Sequence, residues 1–108
     1  MVQQIIIVVR IREEDSNAYE ELFQSEVLPL LEEFKAAGKI FSASLASVVD
    51  GSEIQEGVRD FLVSFEVPSE AEHDEFDTHP RIVAFHRRVE RMWLSEPVVW
   101  ISEPVFRL

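Results

Sequence analysis

The sequence predicts an α+β domain in the order β-α-β-β-α-β, folded as a four-stranded antiparallel sheet with both helices on one face. Three observations carry this reading. The first strand is apolar on both of its alternating sides, two amphipathic helical segments are separated by two strands, and a fourth strand closes the chain. A length of 108 residues fits one domain, 1–108, large enough to bury a core without staples.

Gln3–Arg12 reads as the first strand because β-branched residues dominate and no breaker interrupts them. Ile5, Ile7, Val9 and Ile11 line one side, and Ile6 and Val8 the other. A strand greasy on both sides belongs in a sheet covered on both sides. Asp15 or Ser16 then caps a helix reaching Ala37, with Gly38 as its stop. Tyr19, Leu22, Phe23, Val27, Leu30, Leu31 and Phe34 form its apolar stripe. Pro29 removes a backbone donor in mid-helix and should kink or split it.

Lys39–Val49 and Val58–Val67 are the second and third strands, joined by a long loop that opens with the turn residues Asp50-Gly51-Ser52. Ser69 followed by Glu72 has the spacing of a capping box and opens a second helical region. That region breaks at Thr78-His79-Pro80, because proline suits the first turn of a new helix. Ile82, Phe85, Val89, Met92 and Trp93 supply the next apolar stripe, and Val98–Phe106 the fourth strand. Pro104 there needs an edge or a bulge, since it cannot donate to a ladder. With right-handed crossovers this order gives a ferredoxin-like fold.

Two helices cover only one side of such a sheet. Assigning Ile5/Ile7/Val9/Ile11, Phe41/Ala43/Leu45 and Phe61/Val63/Phe65 to the helix side leaves Ile6, Val8, Arg10, Ile40, Ser42, Ser44, Val48, Leu62 and Ser64 opposite. Hiding a few hundred Å² of apolar surface gains several kcal/mol, at about 25 cal/mol per Å². A second copy is therefore expected to cover that face, giving a homodimer in which two sheets close a barrel wrapped in helices. Arg10, Ser42, Ser44 and Asp60 add polarity to the face, and with Trp100 they are candidate substrate-binding residues in a barrel cavity. The competing reading pairs Arg10 with Asp60 structurally.

Composition narrows the partners. A formal charge of −11, from 21 acids against 10 bases, opposes phosphate backbones, so nucleic acid is not expected. The acids cluster in Glu13–Glu33 and Glu66–Asp77, where helix starts favour them. Absence of cysteine removes disulfides and thiolate metal sites. No run is long enough for a membrane helix, and Ile5–Val9 meets Arg10 and Arg12 too early for a signal peptide, so an unprocessed cytoplasmic protein is expected. His79 and His86 are the candidate catalytic residues, since imidazole titrates near neutrality and His79 sits at the helical break. His73 ranks below them, and a capping or surface role is the alternative for all three. No metal motif, phosphate-binding glycine loop or nucleophile elbow is present, and no cofactor is expected. Trp93, Trp100 and Phe106 are candidates for an apolar pocket or for packing.

The segment Ser69–Phe85, SEAEHDEFDTHPRIVAF, together with element order and length, resembles the dimeric α+β barrel superfamily and its antibiotic-biosynthesis-monooxygenase-like branch. Ser69, Pro80 and Phe85 fall at that branch's serine, proline and phenylalanine, and the His79-Pro80 step is shared with stress-responsive barrel proteins. The branch's tryptophan before the serine corresponds to Val67, and its two histidines to Phe76 and Arg81. The resemblance implies a homodimer and a cofactor-independent oxygenase acting on a small aromatic or carbonyl compound. His79 or His86 would then move protons and Arg10 hold an oxyanion. The alternative is a non-catalytic binding or assembly module, because one fold hosts many activities.

Overall fold

In the computed structural model, which describes residues 1–108, strand β1 (Gln3–Arg12) lies inside the sheet. It pairs antiparallel with β3 (Val58–Val67) on one side and β4 (Val98–Ser102) on the other, while β2 (Ser42–Ser47) pairs with β3. The order β2-β3-β1-β4 is that of a ferredoxin-like antiparallel sheet. A strand with two apolar sides is driven to an interior position, and β1 takes it. Its register with β3 sets Ile5 against Phe65 and Val9 against Phe61, so the large side chains share the helix-facing side.

The helical layer begins with a 3-10 turn, Glu13–Asp15, and α1 (Ser16–Leu22). Neither Asp15 nor Ser16 caps α1 by a side-chain bond; the Ser16 hydroxyl instead donates to the Glu13 carbonyl at 2.7 Å. The break expected at Pro29 takes the form of a wide π turn, Phe23–Val27, before α2 (Leu28–Ala36). Proline has no N–H for the Ser25 carbonyl, and the wider turn bonds the Leu28 N–H back to the Phe23 carbonyl. Phe23 and Val27 both stay buried as a result. Gly38, at φ +74°, ends the helix, with its own N–H on the Lys35 carbonyl and the Lys39 N–H on that of Phe34.

This exit alters the start of β2. Regular alternation across Lys39–Val49 places Phe41 inside and Ile40 outside, whereas the structure buries Ile40 at 1% exposure and turns Phe41 outwards under Arg107, 5.3 Å from the ring. The ladder begins only at Ser42, so the period-two rule does not reach the bend before it. The fourth strand likewise stops at Ser102 rather than Phe106, because Pro104 cannot extend the ladder.

Helices α3 (Glu70–Asp77) and α4 (Pro80–Val89) complete the layer. The Ser69 hydroxyl bonds directly to the Glu72 carboxylate and holds that acid below the usual carboxylate range. α3 sits on β3 through His73 and Phe76, whose rings lie 5.9 and 5.3 Å from that of Phe65. α4 meets the π turn where Phe85 stands edge-on to Phe23 at 5.8 Å. All helices lie on one face, and the opposite face carries no layer of this chain.

Candidate functional site

The helix layer does not close completely on the sheet. Between them lies a cavity of about 260 Å³, floored by Ile7, Val9, Val63, Phe65 and Val99 from three strands and roofed by α1, the π turn, α3 and α4. Its wall is mostly apolar and strongly aromatic, with Tyr19, Phe23, Phe76, Phe85 and Trp93 contributing rings. Large rings on a short four-stranded sheet leave gaps that their flat shapes cannot fill. The edge strand β4 adds to this: Val99 faces the helix side yet remains half-exposed.

Four side chains bring acid–base chemistry to the wall: His73, Asp77, His86 and Glu96. His73 and Asp77 are one turn apart on α3, and His73 Nε2 lies 3.4 Å from Asp77 Oδ2. His73 is the one polar residue of the buried core. His86 projects from α4, its ring 5.9 Å from Phe85 and 6.4 Å from Trp93. His86 is exposed on its outer side, while the apolar wall behind it disfavours the imidazolium and pushes its pKa down, with the charge of Asp77 acting in the other direction. His86 therefore holds a neutral imidazole over more of the pH range than a free one. Burial pushes the Tyr19 hydroxyl the opposite way, well above the ordinary phenol, so it stays protonated.

Trp93 reaches the cavity because the chain after α4 docks on the end of β1. Trp93 bridges to Ile11, and the Leu94 N–H donates to the Arg10 carbonyl at 2.9 Å. No lysine or arginine lines the cavity.

The remaining candidates lie elsewhere. His79 is the N-cap of α4: its Nδ1 accepts from the Arg81 N–H at 3.1 Å, and its ring stands edge-on to Phe34 at 6.1 Å, outside the cavity wall. Arg10 and Asp60 are cross-strand partners on the open face of the sheet, joined by two hydrogen bonds of 2.9 and 3.1 Å. Asp60 holds the Arg10 guanidinium more firmly protonated, by hydrogen bonding first and by charge second. Ser42 and Trp100 are exposed on that same face, Trp100 at 61%, while Ser44 also borders a more open groove along β2. This cavity lies on the helix side, and Arg10, Ser42, Ser44, Asp60 and Trp100 have no part in its wall. Asp77 and Glu96 were not singled out by sequence reasoning, which ranked His73 below His79 and His86; the four-residue step from His73 to Asp77 was the one legible signal for the pair.

No protein-family model matches the sequence, and no curated protein matches it significantly. Solved structures share the fold over almost the whole chain. A Mycobacterium tuberculosis protein superposes with a TM-score of 0.79 at 17% identity, over 99% of this chain and 98% of that one. A protein named as a candidate antibiotic biosynthesis monooxygenase from Nitrosomonas europaea gives 0.77 at 8% identity, covering 97% and 91%. A dimeric ferredoxin-like protein of unknown function from Bacteroides fragilis gives 0.71 at 15%, covering 94% and 95%.

Proposed function

We propose that this chain is a homodimeric, cofactor-independent monooxygenase-like enzyme that takes a compact aromatic or carbonyl-bearing molecule into the cavity between helices and sheet. The observation that carries this reading is the aromatic-walled space of about 260 Å³ with the imidazole of His86, its pKa lowered by the apolar side it faces, on its wall. A neutral imidazole removes a proton from an acidic C–H or O–H of the substrate, and the resulting electron-rich carbanion or phenolate reacts with dioxygen. For a methylene group the reaction balances as CH₂ plus O₂ giving C=O plus H₂O, both electron pairs coming from the substrate. The apolar wall excludes competing water. The names of several solved neighbours and the pattern in Ser69–Phe85 support the same class.

The dimer rests on the face without helices, where Ile6, Val8, Leu62, Val98 and Trp100 lie together. A second copy laid sheet to sheet covers this area and encloses the Arg10–Asp60 pairs. Two solved neighbours carry "dimeric" in their names, which supports this arrangement.

A second reading, a binding module without catalysis, draws on the absence of a carboxylate hydrogen bond to His86, since Asp77 spends its nearest contact on His73. One experiment separates the two. Wild type and His86→Phe are incubated in air with a panel of hydroxylated anthrones and naphthols, following oxygen uptake and ligand binding together. Oxygen uptake by wild type that His86→Phe reduces at least tenfold, with binding retained, supports the enzyme. Binding to both proteins without oxygen uptake supports the module.

A further inference from the structure

We propose that the hydroxyl of Tyr19 is the hydrogen-bond donor for the oxyanion formed when the substrate loses its proton, the place that sequence reasoning gave to Arg10. The inference rests on the cavity being the site of the reaction proposed above, and it adds a residue that the reaction so far leaves unused.

Tyr19 stands on α1 in the roof of the cavity and is only 2% exposed. Its hydroxyl has no hydrogen-bond partner in the protein, and burial alone acts on its ionisation. Water can nevertheless reach it. The polar atoms that are both unpartnered and sealed are Gln3 Oε1, Glu26 Oε2 and Trp93 Nε1, and the Tyr19 oxygen is not one of them. The little surface that Tyr19 retains thus includes the hydroxyl, and it opens on the cavity that Tyr19 lines. Buried hydroxyls rarely go without a partner, so a free one facing an enclosed space points to a ligand. Ring contacts at 5.0 Å to Phe61 and 6.0 Å to Phe85 fix the phenol before any ligand arrives.

The reaction needs such a donor. Removing a proton beside a carbonyl breaks the C–H bond and passes the proton to His86. The electron pair becomes the carbon–carbon double bond of an enolate, and the carbonyl π electrons move onto oxygen. For a phenol, the O–H bond breaks directly to a phenolate. Either oxyanion lies in a wall that has no lysine or arginine and carries the carboxylates of Asp77 and Glu96. The side-chain donors of that wall are Tyr19, His73, His86 and Trp93. Trp93 Nε1 is sealed, and His86 takes the substrate proton. His73 turns Nε2 towards Asp77 at 3.4 Å, which leaves Nδ1 an acceptor in the neutral ring. Arg10 is tied to Asp60 on the other face of the sheet. Tyr19 remains. Because burial keeps its phenol protonated, it donates a hydrogen bond without giving up the proton, and the substrate oxyanion stays electron-rich towards dioxygen.

The test compares wild type, Tyr19→Phe and His86→Phe with 1-tetralone in deuterated buffer without oxygen. Exchange of the hydrogens beside the ketone is followed by NMR. Tyr19→Phe deletes a hydroxyl that no protein group bonds, so the fold should be kept. The expected result is exchange by wild type, at least tenfold slower in Tyr19→Phe and abolished in His86→Phe. Bound 4-nitrophenol, read by the absorbance of its phenolate, should ionise at higher pH in Tyr19→Phe than in wild type. Tyr19 is the one tyrosine of the chain, so 3-fluorotyrosine labelling gives a single ¹⁹F resonance, which bound nitrophenolate should shift. Exchange by Tyr19→Phe at the wild-type rate, or equal nitrophenol titrations, overturns the role of Tyr19 and leaves the enzyme standing. An unmoved ¹⁹F line with nitrophenolate bound does the same, and needs no variant to fold. Exchange by wild type without oxygen uptake from the anthrones and naphthols overturns the oxygenase reading and leaves Tyr19 in place. No exchange by wild type overturns this inference, and no oxygen uptake besides overturns both.

Discussion

Arg10 and Asp60 stand directly opposite each other in the β1–β3 ladder, Nε to Oδ1 at 2.9 Å and Nη2 to Oδ2 at 3.1 Å, on the sheet face that no helix covers. Such a forked pair engages both carboxylate oxygens through Nε and Nη2 of the guanidinium, with Nη2 also 3.4 Å from the Glu53 carbonyl. Its side chains are only partly exposed, at 29% and 15%. Removing one partner therefore strands a charge, and Asp60→Ala should cost about 1–2 kcal/mol in urea denaturation. The double replacement by leucine should recover most of that loss. A ligand role for Arg10 would show instead as weakened probe binding in Asp60→Ala at unchanged stability.

The same face carries the dimer prediction. Leu62 pairs with Val8 beside the Arg10–Asp60 pair, on the face that no helix covers. Placing a carboxylate there by Leu62→Glu sets two like charges near a two-fold axis in a desolvated contact. The variant should sediment as a monomer or aggregate where the wild type sediments as a dimer. A wild type that sediments as a monomer, or a Leu62→Glu dimer of undiminished stability, would remove the sheet-to-sheet arrangement.

His86 gives a pH signature with a definite sign. Desolvation lowers its pKa from the ordinary 6.5, so the unfolded chain takes up a proton at higher pH than the folded one. The stability associated with the neutral ring is complete above that ordinary value and is lost as the pH falls through the folded pKa. Comparing wild type with His86→Gln in urea between about pH 7.5 and 5, the wild type should lose more stability on the acid side. Parallel curves would place His86 in an environment no different from water. Catalysis through the neutral imidazole should likewise persist to lower pH than a free imidazole allows.

Gly38 isolates a backbone effect. Its φ of +74° is needed for the turn that ends α2, and a methyl group there meets nothing within 4 Å. Gly38→Ala therefore creates no clash with other elements, and its cost is conformational alone, about 1 kcal/mol. A drop in thermal midpoint of a few degrees in calorimetry checks this, with unchanged ligand binding.

Local chemistry in the chain was enough to determine the number, type and order of the elements. The unbroken β-branched run of β1, the alternation in Val58–Val67, the stop at Gly38 and the restart at Pro80 each depend on neighbours within a few residues. So did the greasy second face of the sheet, which follows from period two once the helices are assigned to one side. Where the ladder had not yet begun, at Ile40 and Phe41, periodicity had nothing to act on, and the exit geometry of the helix reversed the two residues.

The site itself belonged to the tertiary structure. Val99 on β4, Phe23 on the π turn, His73 and Asp77 on α3, and His86 and Trp93 around α4 meet only after every crossover is made. A cavity is the space that packing fails to fill, and it depends on how rings from distant segments interlock rather than on any spacing along the chain. The sequence showed which residues had acid–base chemistry to offer; the fold decided that His86 reaches the enclosed space, that His79 caps a helix outside it, and that Arg10 is held by Asp60 on the other side of the sheet.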